Sequence, residues 1–484
     1  MFQTGVFRSD HFSSDFEFVS DFEIRISDFK LRISPSCLID SSKRLRTLLS
    51  PCCMDWARLN IFQRVTLEWD AIHPYNAAQA MKLQGSPDLE KLRATYESTL
   101  RELALGPATS DGTRFRWGSI DSSFHASIQE SSSLDALMTL ELNRGFDDSV
   151  ELPFRPFIVR EADSYFAGVV YHHWTADSFS IRMLLREWFL RMHEPSAARR
   201  KALRIATEGY WKLFGPDNAH WRLDEGILEV FRWNARFRKA RRIDPSGFKD
   251  LSSHFSLHRA PDGLIDTVVA AARKRGVTVN DVFLAAMAEV CDKLVPVKWT
   301  SRRPDLALGT IVDLRSRSDK PMDDLFGLFL GFTSVFLRPD DLKDFDRLLL
   351  RVHQQHVMQK HASAAESSMV RMFSGLYVGK LFETKSLLEF YRKRAAMAAG
   401  ISNVNLNRDW PSRYHPAPLL DYVRVSPSGP LMPLVFTPTT LGSQLNFGLT
   451  CRGSVIPPPQ APKLAEMFVK RLKQFAGCES DGTT

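Results

Sequence analysis

The residues of this 484-residue chain best suited to chemistry gather in one stretch, Tyr165–Ser180, which reads Y-F-A-G-V-V-Y-H-H-W-T-A-D-S-F-S. An apolar run from Tyr165 to Tyr171 delivers two adjacent histidines, His172 and His173, and then Asp177. Past Asp177, Ile181, Leu184, Leu185, Trp188 and Phe189 recur at threes and fours, the period of a helix. The pattern therefore sets His-His-x-x-x-Asp where a buried strand turns into a helix. Successive strand residues point to opposite faces, so only one of the two imidazoles can face a given cavity. An imidazole of ordinary pKa, about 6.5, accepts a proton readily at neutral pH. Asp177 can fix the loop by pairing with a cation. No G-x-S-x-G nucleophile elbow occurs. The chemistry these residues suit is a single general base that activates an incoming nucleophile, without a covalent enzyme intermediate.

Such a group needs strands and helices to hold it, and the rest of the chain offers them. Ser86-Pro87-Asp88 reads as a helix start with a cap, a first-turn proline and an early carboxylate. Leu89, Leu92, Tyr96, Leu100 and Leu103 follow as one stripe, closed by Gly106. Residues 114–119 and 154–160 read as strands that pair with the histidine-bearing one. In the second half, His254–His258 reads as a strand and Gly263–Arg275 as a helix. Thr278-Val-Asn-Asp281 is a capping pattern for a further helix. Leu306–Arg315 reads as a strand with Arg315 at its end, and Phe326–Pro339 as a buried strand carrying Gly327 and Gly331. A long helix near 341–360 carries His353 and His356, which read as surface histidines. Leu434–Leu449 reads as strands broken at Pro438 and Gly442, and Leu464–Phe475 as a last amphipathic helix ended by Gly477.

Composition narrows the class. Hydrophobic residues at 44% and charged ones at 25% are ordinary globular values. A net charge of +8 is a mild bias that does not call for nucleic acid. The six cysteines (Cys37, Cys52, Cys53, Cys291, Cys451, Cys478) show no metal-ligand spacing, which points to a reducing compartment and no metal site. The longest nearly apolar run, Leu325–Leu337, is too short to span a bilayer, and no signal-peptide pattern opens the chain. These features predict a cytoplasmic, monomeric protein. Residues 1–53 differ from the rest: D-F-E-F-V-S, D-F-E-I-R-I-S and D-F-K-L-R-I-S repeat in tandem. They read as a non-native or disordered extension, with translation starting at Met54. Basic clusters at Arg199-Arg200-Lys201 and Arg236 to Arg242 read as a solvated crossover, or as a docking surface for phosphates or an acidic carrier.

H-H-W-T-A-D resembles the His-His-x-x-x-Asp signature of the chloramphenicol-acetyltransferase-like superfamily, which includes condensation domains of non-ribosomal peptide synthetases and wax ester synthases. Three further stretches resemble motifs of that group in the right order: Thr278–Ala286, Leu308–Arg315 and Phe326–Arg338. Ser402-Asn403-Val404 is similar to the Ser-Asn segment near the family's acyl tunnel. The likeness runs from about Met54 to the C-terminus. It implies an α+β (α/β sandwich) fold: two chloramphenicol-acetyltransferase-like lobes, residues 54–243 and 244–484, forming a V-shaped pseudo-dimer with a central tunnel. It also implies His173 as catalytic base, His172 as its structural neighbour, and Asp177 in a salt bridge for which Arg315 is the first candidate partner. Ser402, Asn403, Trp174 and Ser178 are the expected tunnel or oxyanion residues. Two positions depart from the pattern, Ser178 where most members have glycine and Gly331-Phe332 where many have Asn-Thr.

The resemblance implies a thioester-dependent acyltransferase. An acyl group passes from coenzyme A or a phosphopantetheinyl carrier to a hydroxyl or amine of a small-molecule acceptor, with no permanently bound cofactor. The alternative is a condensation-like protein that binds a carrier or ligand without turnover.

Overall fold

In a computed structural model, the described residues are 56–207, 210–214, 223–242, 249–296, 302–318, 321–362, 364–379, 388, 389, 391, 397–410 and 412–478. They fall in one compact unit, Leu49–Thr484. The repeats within 1–53, with Cys37, Cys52 and Cys53, lie outside the described residues.

In chain order the first half comprises β1 (Ala57–Arg58), α1 (Ile61–Asp70), β2 (Asn76–Gln84), α2 (Leu89–Leu103), β3 (Ala108–Ser110), β4 (Arg114–Trp117), β5 (Gln129–Ser131), α3 (Leu134–Leu142), β6 (Phe154–Arg160), β7 (Ser164–His172) and α4 (Ser178–His193). Across β8 (Arg204–Ile205), α5 (Tyr210–Phe214) and α6 (Leu223–Lys239) the chain passes to β9 (Ser253–Arg259), α7 (Leu264–Lys274), α8 (Val279–Leu294), β10 (Leu306–Asp313), β11 (Leu325–Phe326), β12 (Leu330–Leu337), α9 (Phe345–His361) and α10 (Ala364–Gly379). β13 (Ala399–Ile401), β14 (Val404–Asn405), β15 (Leu419–Val425), β16 (Leu434–Leu441), β17 (Gln444–Arg452) and α11 (Ala461–Ala476) complete it.

Two main sheets result, and with their covering helices they make the two lobes of an α/β sandwich. The first has the order β15-β2-β7-β6-β5. The second has the order β12-β10-β13-β16-β17-β9, with β14 beside β16. All nine residues of β7 are buried, as an apolar run at the centre of a sheet covered on both faces requires. Helices α2 and α4 pack over one face of the first sheet through Tyr96, Leu100, Ile181, Leu184 and Trp188. In the second lobe α7, α8, α9 and α11 cover the sheet through Val268, Phe283, Leu348 and Phe468. The sheets exchange one element: β15, from the second half of the sequence, pairs antiparallel with β2, Arg424 opposite Gln79. No helix among the described residues is long and apolar enough to cross a membrane.

Several local expectations shift. Asp88, not Ser86, caps α2, because its carboxylate lies 3.0 Å from the otherwise free Lys91 N–H. The helix closes at Ala104 in the left-handed region. Gly106 is needed for a different reason: a Cβ there would sit 2.1 Å from the Gly118 carbonyl oxygen. Residues 114–117 pair with β1 and β3, not with the histidine strand; of the two expected partners only 154–160 does so. Pro438 does not break β16. It falls level with Ser402-Asn403, where the neighbouring strand is interrupted between β13 and β14, so the missing N–H leaves no rung unpaired. His353 and His356 are not free surface residues, since both rings bond Asp281, the capping-box residue of α8. Nor is the basic crossover wholly solvated: Arg241 is buried, paired with Asp292 and bonded to the Pro304 carbonyl.

Candidate active site

β7 ends at His172, and five residues later the chain enters α4 with Asp177 as its N-cap. One carboxylate oxygen of Asp177 accepts from the Ser180 N–H at 3.0 Å. The other accepts from Arg315 Nη1 at 2.7 Å and from the Phe329 N–H at 2.8 Å. Burial would push this carboxyl up, but Arg315 and the two backbone N–H groups hold it below the usual carboxylate range. Arg315 lies two residues past β10, in a 3-10 helix, with its guanidinium between the rings of Phe179 and Phe329. Ser180 extends the contact: its Oγ accepts from Arg315 Nη2 at 2.8 Å and from the Gly327 N–H at 3.0 Å. The start of α4 is thereby fastened to residues 325–329 of the other half.

The two histidines divide as strand alternation demands. His172 turns into the packed side, its ring stacked on Phe146 at 5.2 Å. Its Nδ1 lies 2.9 Å from Asp148 and its Nε2 3.2 Å from Asp70. Burial alone would lower its pKa, but the two carboxylates outweigh burial and raise it to about 9. His172 is therefore an imidazolium at neutral pH, and its Nδ1–H donates to Asp148. Trp174 Nε1–H donates to the second oxygen of Asp148 at 3.2 Å, which fixes the turn between the histidines and the helix.

His173 faces the other way. Its backbone N–H donates to the Tyr75 carbonyl at 3.3 Å, and its Nδ1 lies 3.1 Å from the Ala176 carbonyl. Burial lowers its pKa, and the backbone and Asp177 offset that only in part, so the ring is neutral at pH 7. A carbonyl accepts only, so the single ring proton sits on Nδ1 and Nε2 keeps its lone pair. Tyr75 stacks on the ring at 5.4 Å and Tyr171 meets it edge-on at 5.5 Å.

His173 borders a cavity of about 230 Å³ between the two halves. Its apolar wall includes Trp69, Leu330, Phe332, Met397 and Val435, and its polar wall Gln79, Ser178, Ser402 and Arg424. Of the residues expected around a tunnel, the structure brings His173, Ser178 and Ser402 to this cavity. Trp174 is instead 1% exposed, packed edge-on against Phe115 in the core, and half-buried Asn403 lies outside the wall. Gly331 has a steric cause: a Cβ there would lie 2.4 Å from the Ala365 carbonyl oxygen, so α10 packs directly on the strand. Sequence reading missed Asp148, Gln79 and Arg424. Arg424 carries a signal in hindsight, a cation between Tyr422, Val423 and Val425 in a run otherwise fit for burial.

The fold is that of condensation domains. The condensation domain from Monacolin K polyketide synthase MokA superimposes with a TM-score of 0.60 at 11% identity, covering 88% of this chain and 98% of that one. The first condensation domain of the CDA synthetase gives 0.61 at 14%, covering 87% and 96%. The EpoB NRPS cyclization-docking bidomain from Sorangium cellulosum gives 0.60 at 14%, covering 89% and 85%. In sequence, the chain is 23% identical to a plipastatin synthase polypeptide of Bacillus subtilis (strain 168) over 240 residues, 47% of this chain and 9% of that protein. It is 24% identical to a surfactin synthase polypeptide of the same strain over 224 residues, 45% of this chain and 17% of that protein. It thus spans less than a fifth of either protein. No family model matches the chain.

Proposed function

We propose that the protein transfers an acyl group from a thioester, on coenzyme A or on the phosphopantetheine of a carrier protein, to a hydroxyl or amine acceptor. The observation that carries this reading is the neutral His173, its Nδ1–H held by the Ala176 carbonyl and its Nε2 free beside a cavity between the lobes. In the proposed reaction, Nε2 takes the proton of the acceptor O–H or N–H as the acceptor atom attacks the thioester carbonyl. The tetrahedral adduct collapses with loss of the thiolate, which recovers the proton from the imidazolium. An ester or amide and a free thiol leave, and His173 returns to its starting state. The condensation fold and the NRPS relatives support a carrier-linked donor.

Binding without turnover is the competing reading, motivated by Ser178 and Gly331. Ser178 Oγ is taken by Gln79, Arg182 and Arg424, and Gly331 packs against α10, so neither departure removes a contact to His173. Thiol release from acyl-CoA with a panel of amines and alcohols separates the two. His173→Ala is expected to cut the rate by roughly 10²–10⁴-fold with the circular dichroism spectrum unchanged. Equal rates for variant and wild type would end the general-base reading.

A further inference from the structure

Arg424 lies near the end of β15, 2% exposed and on the wall of the His173 cavity. Its five N–H groups meet four acceptors, all uncharged. Nε donates to Ser178 Oγ at 3.0 Å, Nη1 to the carbonyls of Ser402 at 2.8 Å and Pro438 at 3.4 Å, and Nη2 to Ser402 Oγ at 2.6 Å. Four of the other buried arginines, Arg155, Arg191, Arg241 and Arg315, each pair with a carboxylate, supplied by Glu141, Glu187, Asp292 and Asp177. Among the described residues Arg424 has none within ion-pair distance. The ionised neighbour that bears on it is a second cation, Arg182, whose own carboxylate is Asp409 at 2.8 Å. Burial and Arg182 together lower the Arg424 pKa to about 10. A buried charge without a partner is costly, and a fold keeps one where something else supplies the counter-charge.

The hydroxyls around Arg424 point the same way. Ser178 Oγ receives three N–H donors: Gln79 Nε2 at 3.0 Å, Arg182 Nη1 at 3.2 Å and Arg424 Nε at 3.0 Å. Ser402 Oγ accepts one N–H, from Arg424 Nη2. A hydroxyl whose lone pairs are filled has only its hydrogen left to offer. The cavity wall beside His173 therefore presents one Arg424 N–H and the Ser178 O–H as donors, with the Ser402 hydroxyl able to donate beside them, next to a net positive charge, in a cavity whose remaining lining is largely apolar and includes a further cation, Arg371.

We propose that this cluster binds a carboxylate carried on an apolar body, and that the acceptor substrate is such an acid. Arg424, Ser178 and Ser402 hold its carboxylate while its hydroxyl or amine reaches His173 Nε2. Ser402, expected as an oxyanion donor, here serves the ground state of the substrate. The inference rests on the acyl-transfer reading for the word acceptor, and its test is independent of turnover.

The test is calorimetric titration of the full chain at pH 7 with octanoate and phenylbutanoate, each against its primary amide, the neutral isostere. The acids are expected to bind roughly 10- to 100-fold tighter than the amides, the worth of a hydrogen bond to a charged group. That ratio should fall to near one in Arg424→Gln and persist in His173→Ala. Should Arg424→Gln fail to fold, Ser178→Gly and Ser402→Ala take its place, each lowering the ratio. Equal binding of acid and amide by the wild type overturns the proposal. So does the absence of saturable binding by any acid, or a ratio unchanged in these variants. Tighter binding of octyl phosphate than of octanoate overturns the assignment to a carboxylate. An inactive protein that still prefers the acids removes the acyl-transfer reading alone; an active one without the preference removes only this inference.

Discussion

Adjacent imidazoles in this protein are tuned in opposite directions by what each one faces. His173 is buried without a carboxylate at its ring, and its pKa is depressed. A base must be unprotonated to act, so a rate controlled by His173 falls only as pH drops through a value below about 6.5, the ordinary imidazole value. A pH–rate profile on a proven substrate pair is expected to show its acid limb there; a limb above that value would assign the base to another group. His172 is held between Asp148 and Asp70 with a pKa raised to about 9. The folded state then binds a proton that the unfolded state releases near 6.5. The stability this gives is fully present below about pH 6.5 and is lost as pH rises through 9. Asp148→Asn should therefore lower the melting temperature most at pH 6 and least above pH 9. A difference independent of pH would mean that Asp148 acts through packing alone.

A helix start carries the site at the scale of elements. Asp177 is at once the cap of α4 and the partner of Arg315, so Asp177→Ala removes a cap and strands a buried cation. The two losses are expected to cost about 3–5 kcal/mol for the broken buried pair and about 1 kcal/mol for the cap. Chemical denaturation would read this as a lower midpoint, with activity lost in step. Lost activity at unchanged stability would place Asp177 in the chemistry itself. The start of α4 was legible in the sequence because it is local: an apolar run, a polar turn and a helical repeat lie within sixteen residues. Asp177 and Arg315 could be paired because the order of motifs resembled a known family. Asp148, Gln79 and Arg424 were not legible, because their roles depend on which strand lies beside which. A lone arginine in D-Y-V-R-V does not announce that it will face Ser178, 246 residues away. The same limit misplaced His353 and His356, whose shared partner Asp281 lies on another helix.

The whole molecule is joined by exchange of a strand as well as by contact between faces. Because β15 completes the first sheet at β2, residues 54–243 alone would leave that sheet with an open, apolar edge. Expressed separately, this fragment is expected to aggregate or to lack cooperative unfolding, whereas residues 54–484 fold. A monomeric fragment with a sharp melting transition would show that the first lobe is self-sufficient. The path of β15 has a further consequence. The strand is hydrogen-bonded into the sheet that carries His173, yet nine residues after its end the chain enters β16 of the other sheet. A cation fixed to such a strand behaves like a pawl on a shared axle: any rotation of one half against the other must drag Arg424 past Ser402 or past Ser178. On the acceptor reading proposed above, the grip on a substrate and the angle between the lobes become one variable, and a carrier pressing on the outside would loosen a bound acid without touching it.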